Sequence, residues 1–131
     1  MPSPALSASA VLVIDDDPAL LNSFATLLGA YGIPAETARN GLEGLATFRR
    51  ISPAVVLTDI VMPEKEGLET IMAMRRERPA TKIIAMSGSA GGTGELDYLT
   101  LAKKLGADAV IDKPFDTDAL VKLLRTFLRQ S

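Results

Sequence analysis

Cysteine is absent from the 131-residue chain, so there is no disulfide framework and no thiol nucleophile. That absence fits a cytoplasmic setting. Histidine is absent as well. Serine–histidine–aspartate and cysteine–histidine catalysis are therefore excluded, and so are histidine-ligated zinc sites. Any metal here must sit on oxygen ligands, which favours a hard ion such as magnesium. No apolar run approaches the length of a membrane-crossing helix. An excess of positive charge is also missing. Fourteen Lys and Arg against sixteen Asp and Glu give a formal net charge of -2, which offers nucleic acid no basic field.

What is present suits one soluble α/β domain. A chain of this length can bury a substantial core, and 47% of its residues are hydrophobic. The first residues, Met1 to Ala10, are rich in Ser, Ala and Pro. They lack the basic start and long apolar stretch of a signal peptide. Residues 1–9 are expected to be a disordered tail and 10–131 the domain.

Strand-like and helix-like segments alternate along the rest. Strands are expected at Ala10–Ile14, Pro34–Ala38, Ala54–Thr58, Lys82–Met86 and Ala109–Ile111. Helices are expected at Pro18–Ala30, Leu42–Arg50, Leu68–Glu77, Glu95–Leu105 and Asp116–Arg129. Asp17 is placed to cap the first helix, with Pro18 in its first turn and Gly32 ending it. Leu20, Phe24, Leu27 and Leu28 form its apolar stripe. Leu42, Leu45, Ala46 and Phe48 are the apolar members of the second helix, and Leu68, Ile71, Met72 and Met74 are set inward on the third. This (βα)5 order implies a parallel five-stranded sheet covered on both faces. Right-handed crossovers then favour a doubly wound sheet in the order 2-1-3-4-5.

Three of these strands end in charge. Asp15, Asp16 and Asp17 follow Val11-Leu12-Val13-Ile14, Asp59 follows Val55-Val56-Leu57-Thr58, and Lys113 follows Ala109-Val110-Ile111-Asp112. In that strand order, ligands bind at the carboxyl edge, between strands one and three. Asp15, Asp16 and Asp59 converge there, and Ser87 and Lys113 line the same edge. Packing alone asks for none of these charges. Several carboxylates in one cleft either raise some pKa values or recruit a cation. Magnesium takes one or two carboxylates and keeps positions for water and phosphate oxygens. A lysine and a hydroxyl beside it suit a phosphoryl group, and a carboxylate can itself act as the nucleophile.

The chain resembles the receiver domain of two-component response regulators, in the manner of chemotaxis receivers, over about Ala10 to Arg129. The resemblance is carried by Val13-Ile14-Asp15-Asp16-Asp17-Pro18 and by Leu57-Thr58-Asp59-Ile60-Val61-Met62-Pro63 with Gly67-Leu68. Ile83-Ile84-Ala85-Met86-Ser87-Gly88, Gly106-Ala107-Asp108 and Lys113-Pro114-Phe115 complete it. Each piece alone is weak, whereas all of them in order are specific. The resemblance implies a flavodoxin-like receiver fold with Asp59 as phosphoacceptor. It implies Mg2+ on Asp15, Asp16, Asp59 and the backbone carbonyl of Val61, with Ser87 and Lys113 on the phosphoryl group. The implied donor is a phosphohistidine on a histidine kinase or histidine phosphotransfer protein. The implied output is a contact with a downstream protein, by a cytoplasmic monomer or weak dimer that binds neither nucleic acid nor membrane directly. The Lys113-Pro114 bond resembles the family's cis peptide.

Three departures from the family pattern stand out. Val110 occupies a position where the family usually has an aromatic residue, which puts the usual switch in doubt. The Ser87-to-Lys113 stretch is longer than in typical members by about four residues, with the surplus in the Gly-rich segment 88–94. Val61 cannot hydrogen-bond an attacking water, so a persistent phospho-Asp59 is expected.

Competing explanations are set beside these. Asp17 serves as a helix cap rather than a ligand. The segment from Ser87 to Gly94 lacks the Gly-Lys-Ser/Thr ending of a nucleotide loop, so a flexible cover is the better expectation. Tyr98, Leu101, Ala102 and Leu105 are expected in the core, with Leu96 open to a partner. A phosphatase forming an aspartyl-phosphate is the enzyme alternative, but Ala19 stands where such a site expects a hydroxyl. Because the domain nearly fills the chain, no output module is expected. The chain is then a single-domain switch, a fragment of a longer regulator or hybrid kinase, or an interaction module independent of phosphorylation. It is not expected to turn over an external substrate.

Overall fold

The computed structural model describes residues 11–60, 66–87, 100, 102–112 and 116–130. Their order is β1 (Val11–Ile14), α1 (Pro18–Ala30), β2 (Ala35–Ala38), α2 (Gly41–Ile51), β3 (Val55–Asp59), α3 (Glu66–Glu77) and β4 (Lys82–Ser87). A helical stretch at 102–105, α4, is followed by β5 (Ala109–Asp112) and α5 (Thr117–Gln130). The five strands form one sheet in the order β2-β1-β3-β4-β5, and every pairing is parallel. The expected topology is therefore the one observed.

Side-chain alternation divides the core between the two faces of the sheet. Val11, Val13, Val55, Leu57, Ile84 and Met86 pack against Leu21, Phe24 and Leu28 of α1 and Leu120, Val121 and Leu124 of α5. Leu12, Ile14, Val56, Ile83 and Ala85 face Phe48 of α2, Ile71 and Met74 of α3, and Ala102 of α4. Both faces being buried explains why the central strands are mostly apolar, with Thr58 of β3 a buried polar exception. Each fully buried Leu, Ile or Phe contributes roughly 1.5–3 kcal/mol relative to exposure.

The helices begin and end for identifiable reasons. Asp17 caps α1, accepting from Ala19 N at 3.0 Å and Leu20 N at 3.4 Å. Asn40 caps α2, accepting from Glu43 N at 2.8 Å, while Glu43 reaches back to Arg39 N at 3.0 Å. Gly32, at φ +75°, follows α1, and Ser52, at φ 47°, ends α2 in the left-handed region.

Met72, expected to be inward, faces outward instead, as does Leu42, an apolar member of the second helix. Leu42 is 80% exposed and Met72 is 42% exposed. Leu42 falls in the first turn of α2, off the face on which Gly44 and Phe48 meet the sheet. Met72 lies beside Ile71, one residue off the stripe of Leu68, Ile71 and Met74 that is buried on α3. Of the residues expected to be buried around α4, Ala102 is fully buried and Leu105 packs on the same core. Tyr98, Leu101 and Leu96, and the Gly-rich segment 88–94, lie outside the described residues.

Candidate functional site

The strand register brings the acidic residues together. Ile14 is aligned with Ala38 on one side and Thr58 on the other. The next residues, Asp15 and Asp59, therefore stand side by side at the carboxyl edge. Asp15 N donates to Ala38 O at 3.1 Å, so the ladder runs one residue past the end of β1. Asp15 Oδ1 accepts from Asp17 N at 2.9 Å, which turns the chain into α1 and holds the carboxylate at the turn. Asp59 is the last residue of β3, in register with Met86, and Ile60 N donates to Met86 O at 3.0 Å.

Asp15 and Asp59 are 1% and 5% exposed, whereas Asp16 is open to solvent. Each of the three offers a carboxylate oxygen, and these oxygens lie within 4.8 Å of one another. Carboxylates at that spacing repel one another, and a cation held among them relieves the repulsion. Hard oxygen donors of this kind fit magnesium.

The other expected site residues stand differently. Ser87 is the last residue of β4 and is aligned with Asp112 on β5, which puts its backbone on the same edge. The side chain of Ser87, together with Val61 and Lys113, lies outside the described residues. Val110 is partly buried and packs against the core shared with α2, α3 and α4.

One positioning feature escaped the reading of the residue pattern. Gly67, near the start of α3, lies against the backbone that leaves Asp59. A Cβ added there would sit 2.5 Å from Ile60 Cα, 2.6 Å from Asp59 O and 2.9 Å from Ile60 C. Only the absence of a side chain lets α3 begin so close to the acidic edge. A glycine eight residues after the last residue of β3 carries a signal of close approach, but no sequence pattern names the backbone it meets.

A parallel doubly wound sheet with its acidic trio at the β1/β3 switch point defines a protein of the flavodoxin-like α/β class, with a binding site at the carboxyl edge. The model of the response regulator receiver domain matches residues 11–125, and the chain belongs to that family. It is 34% identical over 121 residues to the transcriptional regulatory protein TrcR of Mycobacterium tuberculosis, covering 92% of this chain and 46% of that protein. It is 36% identical over 123 residues to a CpxR homolog, also named a transcriptional regulatory protein, of Haemophilus influenzae, covering 94% of this chain and 52% of that protein. The chain thus spans about half the length of these curated relatives. A CheY-like receiver domain protein of Methanospirillum hungatei superposes with a TM-score of 0.83 at 31% identity, over 93% of this chain and 94% of that one. No helix among the described residues is long and apolar enough to cross a membrane.

Proposed function

We infer that this receiver domain, taken as residues 10–131, accepts a phosphoryl group on Asp59 from a phosphohistidine and thereby switches a contact with another protein. The observation that carries this is the trio of carboxylate oxygens within 4.8 Å of one another, two of the three residues being buried. Asp15, Asp16 and Asp59 would hold Mg2+, with the Val61 carbonyl as a further ligand. Bound magnesium supplies charge neutralisation for the carboxylates and for the phosphoryl oxygens. An Asp59 carboxylate oxygen attacks phosphorus in line, and the bond from phosphorus to the imidazole nitrogen breaks. The imidazole leaves with that electron pair and takes up a proton. The Ser87 hydroxyl donates to a phosphoryl oxygen, and the Lys113 ammonium balances the charge of the product.

The chain contains no histidine, so the phosphohistidine lies outside it, on a histidine kinase or histidine phosphotransfer protein. One phosphoryl group per chain is the expected stoichiometry, with no external substrate turned over. A cytoplasmic setting belongs to the same reading, in keeping with a chain that has no cysteine.

A second reading concerns the output. The relatives named as transcriptional regulators are about twice as long as the matched region. That favours this receiver acting as one part of a longer regulator, whose other part would contact DNA. The test of the central reading is phosphotransfer from a panel of candidate kinases, with Asp59→Asn as control. Transfer of one phosphate to the native chain and none to the variant is expected. Label that survives the substitution refutes Asp59 as acceptor, and repeated turnover of a phosphate ester points to a phosphatase instead.

A further inference from the structure

Thr58 is a polar residue in an apolar layer. It is wholly buried, aligned with Ile14 on one side and Ala85 on the other, and it points to the face that holds Leu12, Val56 and Ile60. Packing and strand propensity would both be served by valine, which has the same branched shape. A buried hydroxyl costs free energy unless it makes a hydrogen bond that matters. The Thr58 hydroxyl donates to the backbone carbonyl oxygen of Asp59 at 3.2 Å.

That carbonyl is also the atom against which Gly67 closes, and the next amide, Ile60 N, is tied to Met86 O at 3.0 Å. The peptide unit leaving Asp59 is therefore fixed from the Thr58 hydroxyl, from α3 and from β4. Asp59 has no freedom to rotate about this unit without breaking one of these contacts. Its carboxylate oxygen lies within 4.8 Å of those of Asp15 and Asp16, so a shift of this backbone carries the carboxylate with it.

We propose that Thr58 is a positioning residue for Asp59, its hydroxyl holding the Asp59 carbonyl so that the carboxylate faces the acidic cluster in reactive geometry. The proposal rests on Asp59 being the phosphoacceptor. Thr58→Val removes the hydroxyl and keeps the shape, whereas Thr58→Ser keeps the hydroxyl and removes a methyl group. The test uses the full chain with Mg2+ and a small acyl phosphate as donor, so that kinase docking plays no part. Two readouts are taken: the rate of labelling, and the 13C resonance of the Asp59 carboxyl, assigned by its loss in Asp59→Asn.

Thr58→Val is expected to melt at or above the native temperature yet to label roughly tenfold more slowly, the scale on which misplacement of a reacting group is felt. Its Asp59 carboxyl resonance moves. Thr58→Ser restores both the rate and the resonance. Labelling of Thr58→Val at the native rate overturns the proposal, as does a Thr58→Ser protein as slow as Thr58→Val. If Asp59→Asn is labelled, or the native chain is not, the phosphoacceptor reading has failed. The Asp59 resonance then decides positioning separately: unmoved in Thr58→Val, it overturns the proposal, and moved there but restored in Thr58→Ser, it upholds it.

Discussion

Gly67 and Asp59 are in van der Waals register: a Cβ on Gly67 would stand 2.6 Å from the carbonyl oxygen of Asp59. No real Cβ tolerates that distance to backbone, so a side chain must move either the start of α3 or the end of β3. Gly67→Ala is expected to destabilise the fold by about 1–3 kcal/mol, the usual cost of overpacking. The gain in helix propensity, about 1 kcal/mol, offsets part of this. Phosphorylation should fall along with stability, because the displaced backbone belongs to Asp59. Urea unfolding of the variant checks the first effect and labelling by a small acyl phosphate the second.

The acidic trio should make the metal-free protein less stable than its neutralised variant. Asp59→Asn removes one charge from three that lie within 4.8 Å. The variant is expected to gain on the order of 1–4 kcal/mol in the presence of a chelator, the range of Coulomb energies for two charges about 4 Å apart between water-like and protein-like surroundings. Added Mg2+ should raise the melting temperature of the native chain progressively and that of Asp59→Asn much less. Equal responses of the two proteins to Mg2+ would count against the trio as the metal site.

Arg75 reaches four residues in the two turns that precede β4 and β5, on the opposite edge of the sheet. Its guanidinium donates to Gly106 O from Nε at 3.1 Å and from Nη2 at 2.6 Å. Nη1 donates to Pro79 O at 2.6 Å and Thr81 O at 2.7 Å, and Nη2 also reaches Asp108 Oδ2 at 2.6 Å. Asp108 Oδ2 in turn accepts from Ile83 N at 2.8 Å. Arg75→Ala is expected to cost roughly 2–3 kcal/mol, because half-buried carbonyls and a carboxylate lose their donor. Arg75→Lys should recover little of this, since an ammonium cannot span the fork. Chemical denaturation of both variants gives the comparison.

Acid should weaken the start of α2. The side-chain hydrogen bond from the Arg39 guanidinium, with help from the Arg39 backbone amide, holds the Glu43 carboxyl below its ordinary range. A carboxyl lowered by folding stabilises the native state above its unfolded pKa, and that contribution disappears as pH falls through the folded value. Glu43→Gln should therefore show a flatter decline of melting temperature on the acid side of about pH 4.3 than the native chain. Both side chains are exposed, so added salt should shrink the difference.

Val61 stands two residues after Asp59, the proposed acceptor, and has no group that can orient a hydrolytic water. Val61→Asn is expected to shorten the lifetime of phospho-Asp59 several-fold, within the roughly 100-fold range that a positioned polar group supplies. Measured decay of the labelled protein tests this, and unchanged rates would remove Val61 from the account.

The sheet order, the sequence of elements and the acidic trio were legible because buried parallel strands write their own pattern: apolar runs broken by a charge at the carboxyl end. Asp17 as a cap was legible for the same reason, since an acid before Pro18 has one obvious use. The ends of the strands were harder. Asp59 and Ser87 read as the first loop residues, yet both continue the ladder, because pairing with Met86 and Asp112 extends each strand by one residue. Met72 was misassigned to the core because helical spacing marks a stripe but not its exact centre. The Asn40 cap and the left-handed Ser52 carried no pattern strong enough to stand out. The roles of Thr58 and Gly67 were hidden for a different reason: both act on a backbone atom, and the side-chain alphabet does not record which backbone atoms meet.

The strand order also has a consequence in time. β1 lies between β2 and β3, whereas β4 and β5 are added beyond β3 in the order in which they are encoded. A chain emerging from its N-terminus can therefore bring Asp15, Asp16 and Asp59 together once β3 has docked, before the segments that carry Ser87 and Lys113 exist. The half of the site that would hold the cation is thus encoded before the half that would hold the phosphoryl group, although the backbone at Asp59 gains its ties to α3 and β4 only after those segments follow.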